Sequence, residues 1–178
     1  MKVFASTAAL LVLVAITGCG KSNPVKPPLP QPKYAPSSTP SNVLRNLQIA
    51  YSTRDSSGYD SLFDAAYVGT SFDRISVNVL SFTKGDESRH IRALAMTHTI
   101  TSISLVFPPA LLRYTDSADP PGWATVPVNG MTLEINDSPT SLNLPSGETM
   151  EFKFHPIAPS PGSPTDTTWH IVRWSELP

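Results

Sequence analysis

The sequence predicts an α+β domain over residues 41–178, with helices gathered on one face of an antiparallel sheet. Two observations carry this. Apolar residues recur at three- and four-residue intervals in the first half of that region, as on one-sided helices, and at two-residue intervals in the second half, as on half-buried strands. At 178 residues, 40% hydrophobic and 15% charged, the chain is long enough for one core but not comfortably for two.

The helical part opens at TPSNVLRNLQIAYSTRD. Thr39 is a capping residue, Pro40 suits the first helical position because its missing N–H would have no partner there, and Asn42 stands three residues past the cap. Val43, Leu44, Leu47, Ala50 and Tyr51 then share one face. The break at RDSSG offers Asp55, Ser56 and Ser57 as caps for a second short helix, whose face is Tyr59, Leu62, Phe63 and Ala66. In RISVNVL, Ile75, Val77 and Val79 alternate with Ser76 and Asn78, which reads as a strand. KGDESRHIRALAM is a third helix, with Asp86 as its cap and Ile91, Leu94 and Ala95 on its inner face.

Strands and loops make up the rest. THTITSISLVF ends at Pro108-Pro109, MTLEIN alternates at Met131, Leu133 and Ile135, and TMEFKFH alternates at Met150, Phe152 and Phe154. TTWHIVRWSE carries apolar groups on both faces, Trp169 and Ile171 against Val172 and Trp174, so it belongs at the centre of the sheet or under cover on both sides. PPALLRYTDSADPPGW and PIAPSPGSPTD are long proline-rich loops, of a length usually associated with function or mobility.

The N-terminus has a different logic. MKVFASTAALLVLVAITGC runs from one lysine through an apolar stretch to the small pair Thr17-Gly18 and the chain's single cysteine, the layout of a secretory signal and too short to span a bilayer. ITGC, with apolar Ile16, small Thr17 and Gly18, and Cys19 as thiol acceptor, resembles the lipobox of bacterial lipoproteins. That resemblance implies a signal peptide over residues 1–18, cleavage before Cys19 and lipidation of its sulfur, hence membrane lipid as a partner. It also implies a cell-envelope location, and Gly20 favours the outer membrane facing the periplasm, since an aspartate there would favour inner-membrane retention. Two or three acyl chains give stable anchoring where one does not. With Cys19 consumed, the domain has no thiol and no disulfide.

Residues 19–40 read as the lipidated cysteine and a linker. Seven of the nineteen prolines fall there with almost no large apolar residue, and an extended proline-rich chain of that length reaches on the order of 65 Å. Lys21, Lys26 and Lys33 give it positive charge. Residues 41–178 carry nine Lys/Arg against fourteen Asp/Glu, a formal charge of −5, which argues against nucleic acid as a partner.

The order of elements in NVLRNLQIAYSTRDSSGYDSLFDAAYV, followed by the third helix, ITSISLVF and the closing WHIVRWSE, resembles the nuclear transport factor 2-like superfamily, which includes ketosteroid isomerase, scytalone dehydratase and polyketide cyclases. The resemblance implies a cone-shaped, cystatin-like fold over residues 39–178. In such a cone a curved antiparallel sheet packs on three N-terminal helices and leaves a pocket at the wide end. Chemistry must then be read from the groups that line the pocket.

Against the isomerase pattern, Leu47 stands where a helix tyrosine would polarise the substrate and Ser71 where an aspartate would move the proton, and neither does that work. Tyr51, one turn along, and Asp73, two residues along, form the alternative catalytic pair. A dehydratase-like His–Asp pair would bring His98 or His155 to Asp73. The four histidines, His90, His98, His155 and His170, show no metal-ligand spacing, and no phosphate loop or nucleophile elbow occurs, so no metal and no cofactor are expected. Leu47, Tyr51, Tyr67, His98 and Trp123 are the pocket candidates, Trp123 because PPGWATVP places a large ring at a loop–strand junction. The expectation is a membrane-anchored domain that binds a small apolar ligand or a protein partner without catalysis. The alternatives are an isomerase, dehydratase or cyclase and a structural homodimerisation module.

Overall fold

The computed structural model describes residues 32–73, 78–144, 149–158 and 167–177. Helix α1 spans Pro40–Ser52, and the Thr39 side chain accepts from the Asn42 N–H at its start. Its end is a Schellman turn: the Arg54 N–H donates to the Tyr51 carbonyl and the Asp55 N–H to that of Ala50, with Arg54 in the left-handed region at φ 54°. The Arg54 guanidinium reaches the Ile100 carbonyl, which ties this strained residue to the next layer. Asp55 then caps α2, Ser56–Asp60, by accepting from the Gly58 N–H.

The folded unit begins at Pro32, upstream of α1. Buried Asn46 exchanges a pair of hydrogen bonds with the Ala35 backbone, at 3.0 and 2.8 Å, and the Trp169 N–H donates to the Ser37 carbonyl. Tyr34 and Lys33 both reach the Asp55 carboxylate at 2.7 Å. A Cβ on Gly58 would lie 2.3 Å from the Tyr34 hydroxyl, so a glycine is what seats that ring.

The second helix is shorter than the spacing predicts. Phe63–Asp73 is strand β1, in which Phe63, Tyr67 and Gly69 are buried in the alternation of a sheet. Three-four spacing over one turn does not distinguish a helix from a strand with a shifted register, and pairing with two neighbours settles the matter here. Part of the strand expected over RISVNVL lies outside the described residues; Asn78–Thr83 forms β2. Helix α3, Lys84–Met96, is capped by Thr83 rather than Asp86. Asp86 closes the capping box from the third helical position. Ile91 is fully buried and Leu94 half-buried, whereas Ala95 is exposed, because the helix turns its narrow apolar edge inward.

The remaining strands are β3 (Ile100–Val106), β4 (Ala124–Asn129), β5 (Thr132–Asp137), β6 (Thr140–Leu144), β7 (Thr149–Ile157) and β8 (Thr168–Leu177). Five strands form one sheet in the order β2-β1-β8-β7-β4, and β3-β5-β6 form a second. All pairs are antiparallel except β1 with β8. That one parallel pair in an otherwise antiparallel sheet is made possible by the long excursion between the two strands. The register slips between Phe63 and Val68 and again between Lys153 and Phe154, and such irregularities bend a sheet.

As its two apolar faces require, β8 is internal, with Ile171 and Val172 both buried. Strand β4 tolerates Pro127 because it lies at the edge of its sheet, with β7 on one side and only a bridge from Tyr114 to Thr125 on the other. Helix α1 packs against β3 and β8, and α3 lies against β1, β2 and α2. The core between them holds Val43, Leu44, Leu47, Phe63, Phe152 and Phe154.

Candidate functional site

A cavity of about 650 Å³ opens between α3, the ends of α1 and α2, strands β1 and β8, and the smaller sheet. This lies within the ~300–1,000 Å³ range of small-molecule sites. Its walls differ in chemistry.

One wall is built by three tyrosines from three elements: Tyr51 in the last turn of α1, Tyr59 in α2 and Tyr67 in β1. The rings of Tyr51 and Tyr59 are 5.9 Å apart, and Phe63 bridges Tyr59 to Tyr67 with a centroid distance of 4.7 Å to each. Their hydroxyls converge on α3. Tyr59 donates to Glu87 Oε2 at 2.8 Å and Tyr67 to Glu87 Oε1 at 3.2 Å, while the Tyr51 hydroxyl pairs with His90 Nε2 at 2.8 Å. Burial, and behind it the Glu87 carboxylate, pushes all three phenols well above their usual range, so they stay neutral at any physiological pH.

Glycine is required at one point of this wall. A Cβ on Gly69 would lie 2.4 Å from the Tyr67 hydroxyl, two residues away on the same face of β1. Next along the strand face, Ser71 donates to Glu176 Oε2 at 2.5 Å, and the Phe72 N–H reaches the same oxygen at 3.3 Å. Trp174, packed 5.0 Å from Phe152, completes this side. The opposite wall is apolar, with Leu105, Met131, Leu133 and Ile135 from the β3 and β5 side, Leu142 from β6 and Met150 from β7.

Of the pocket candidates read from the sequence, Tyr51 and Tyr67 line the cavity. Leu47 is sealed in the core and His98 is exposed between α3 and β3, and neither reaches it. Trp123 sits 5.9 Å from the His155 ring, outside the lining. Asp73 ends β1 opposite Asn78, and its side chain lies outside the described residues. His155 pairs with Asp64 at 2.9 Å. Among the described residues no group of three or more His, Cys, Asp and Glu is placed to hold a metal ion, and no helix is long and apolar enough to cross a membrane.

Glu87 and His90 were not singled out as pocket residues. Their signal was in the sequence: Glu87 precedes Ile91 by four and Leu94 by seven, which puts a carboxylate on the inner face of an amphipathic helix, with His90 beside it at the third position. Glu176 and Ser71 meet only through strand pairing, at a separation of 105 residues.

Neither a protein-family model nor a curated protein matches the sequence. Solved structures do resemble it. A Mycobacterium tuberculosis protein of unknown function superposes with a TM-score of 0.50 at 14% identity, over 77% of this chain and 72% of the other. ActVI-ORFA from Streptomyces coelicolor does so with 0.50 at 9% identity, over 77% and 92%. A candidate scytalone dehydratase from Novosphingobium aromaticivorans gives 0.50 at 7% identity, over 76% and 78%. At such identities the likeness is one of fold: the chain has the curved α+β architecture of the nuclear transport factor 2-like and cystatin-like class.

Proposed function

We propose that this chain is a lipid-anchored envelope protein whose folded domain binds a small, largely apolar molecule without transforming it. The observation that carries the binding role is the open cavity, apolar on one wall and set with tyrosine hydroxyls on the other. The polar groups of that wall satisfy one another, both Glu87 oxygens taking a tyrosine hydroxyl and His90 Nε2 pairing with a third, as in a preorganised binding surface. The anchor rests on the Ile16–Cys19 motif at the end of a signal-like segment.

Native mass spectrometry of the full chain purified from cells is expected to find a retained small molecule. Leu133→Trp, which puts an indole where a half-buried leucine borders the cavity, is expected to empty it. A wild-type chain that is always empty, or a variant that retains the same mass, counts against the binding role. For the anchor, Cys19→Ser is expected to release the protein to the soluble fraction or to leave its signal uncleaved. Unchanged, lipid-modified membrane association in that variant would refute it.

One observation favours a second reading. The Tyr51–His90 pair at 2.8 Å places a neutral phenol next to an imidazole at the cavity edge, the elements of an isomerase, dehydratase or cyclase that moves a proton. Turnover by the wild type that disappears in His90→Gln while ligand binding survives would establish that reading over the first.

A further inference from the structure

The cavity's charge distribution specifies more than an apolar guest. Glu87 is its focal group: it projects from α3 between Tyr59 and Tyr67, and its partners are neutral hydroxyls. It joins no ion pair among the described residues. The other two carboxylates of the lining are engaged differently, Asp86 in the capping box and with Arg89, Glu176 with Ser71. Among the described lining residues there is no lysine or arginine, and the one basic side chain, His90, is bonded to Tyr51.

A carboxylate set among aromatic rings in a partly dehydrated space lowers its free energy most by meeting a positive charge. Anions are repelled there, and neutral guests leave the charge uncompensated. Tyrosine faces add to the same preference, because a cation over an aromatic ring gains from the ring quadrupole and gains more when water is excluded. The two hydroxyl donors fix the carboxylate's position without cancelling its charge.

We infer that the cavity takes an organic cation: a protonated or alkylated amine whose head lies against Glu87 and the rings of Tyr51 and Tyr67, and whose hydrocarbon body lies on Leu105, Met131 and Ile135. This rests on the binding role proposed above. It names the class of ligand that the binding role leaves open.

The test is isothermal calorimetry on the full chain with three probes of one shape: naphthylmethylammonium, the corresponding neutral alcohol and the corresponding carboxylate. The ammonium ion is expected to bind at least about tenfold more tightly than the alcohol, and the carboxylate most weakly. Glu87→Gln, which keeps an acceptor for a tyrosine hydroxyl but removes the charge, is expected to bring the ammonium down to the alcohol's affinity and leave the alcohol nearly unchanged. An alcohol that binds as tightly as the ammonium, or a preference that survives Glu87→Gln, overturns the cation assignment and leaves the apolar-ligand role standing. If none of the three binds the folded wild type, both fall. Should the variant not fold, the wild-type series decides by itself.

Discussion

Two glycines show how single residues set this molecule's geometry. Gly58 makes room for the Tyr34 ring and Gly69 for the Tyr67 hydroxyl; in both cases the missing Cβ lets an aromatic group lie on the backbone. At Gly69 the consequence reaches the cavity, since the hydroxyl it admits is one of the two that hold Glu87. Gly69→Ala is expected to displace that hydroxyl and to cost roughly 1 kcal/mol more in the wild type than in a Tyr67→Phe background, where the obstructing oxygen is gone. Equal costs in the two backgrounds, measured by urea unfolding, would show that the close approach is not what the glycine serves.

At the scale of elements, the junction of α1 and α2 does the most positioning. The Schellman turn at Arg54 ends α1 one residue before the cap of α2, and the rings of Tyr51 and Tyr59 lie 5.9 Å apart across it. Asp55 is the hinge of that arrangement. The Gly58 N–H, then Lys33, then Tyr34 hold its carboxyl well below the usual carboxylate range, so the helix cap and the clasp on residues 33–34 are one interaction. Asp55→Ala is expected to destabilise the fold by about 1–2 kcal/mol, mostly through the cap. Asp55→Asn, which retains an acceptor for the Gly58 N–H, is expected to recover more than half of that loss in a thermal unfolding midpoint. An alanine variant with the wild-type midpoint would sink this account.

For the whole molecule, the same electrostatics predict a two-stage loss of stability on acidification. Burial, against a smaller pull from Asp64, lowers the pKa of His170 from its ordinary 6.5, so the unfolded chain binds the proton first. Its contribution is present above pH 6.5 and is lost as pH falls through the lower folded value. Asp55, Asp86 and Asp116, each held below the ordinary 3.8 mainly by hydrogen bonds from backbone N–H groups or a hydroxyl, contribute above that value and lose the contribution below it. The free energy of unfolding against pH is therefore expected to step down first below neutrality and again below about pH 4. His170→Gln should erase the first step and leave the second; a first step of full size in that variant would assign it to another group.

Much of this could be seen in the chain itself. The cap and start of α1, the presence of α3, the strands β3, β5 and β7 and the internal place of β8 follow from local patterns whose physics acts over a few residues. What local pattern could not decide is where two patterns coincide or where partners are distant. Phe63 to Asp73 became a strand because β2 and β8 offered hydrogen bonds on both sides, and a short three-four spacing carries no information about neighbours. Leu47 and Tyr51 share one helix face, yet one is core and the other cavity wall, because the helix runs from the interior to its edge. The clustering of Tyr51, Tyr59, Tyr67, Glu87 and His90 draws on four elements. The sequence by itself determined the class of fold and which helices and strands would be amphipathic, since those depend on periodicity. Only the tertiary structure decided which polar groups face a common space, because that depends on how the elements cross.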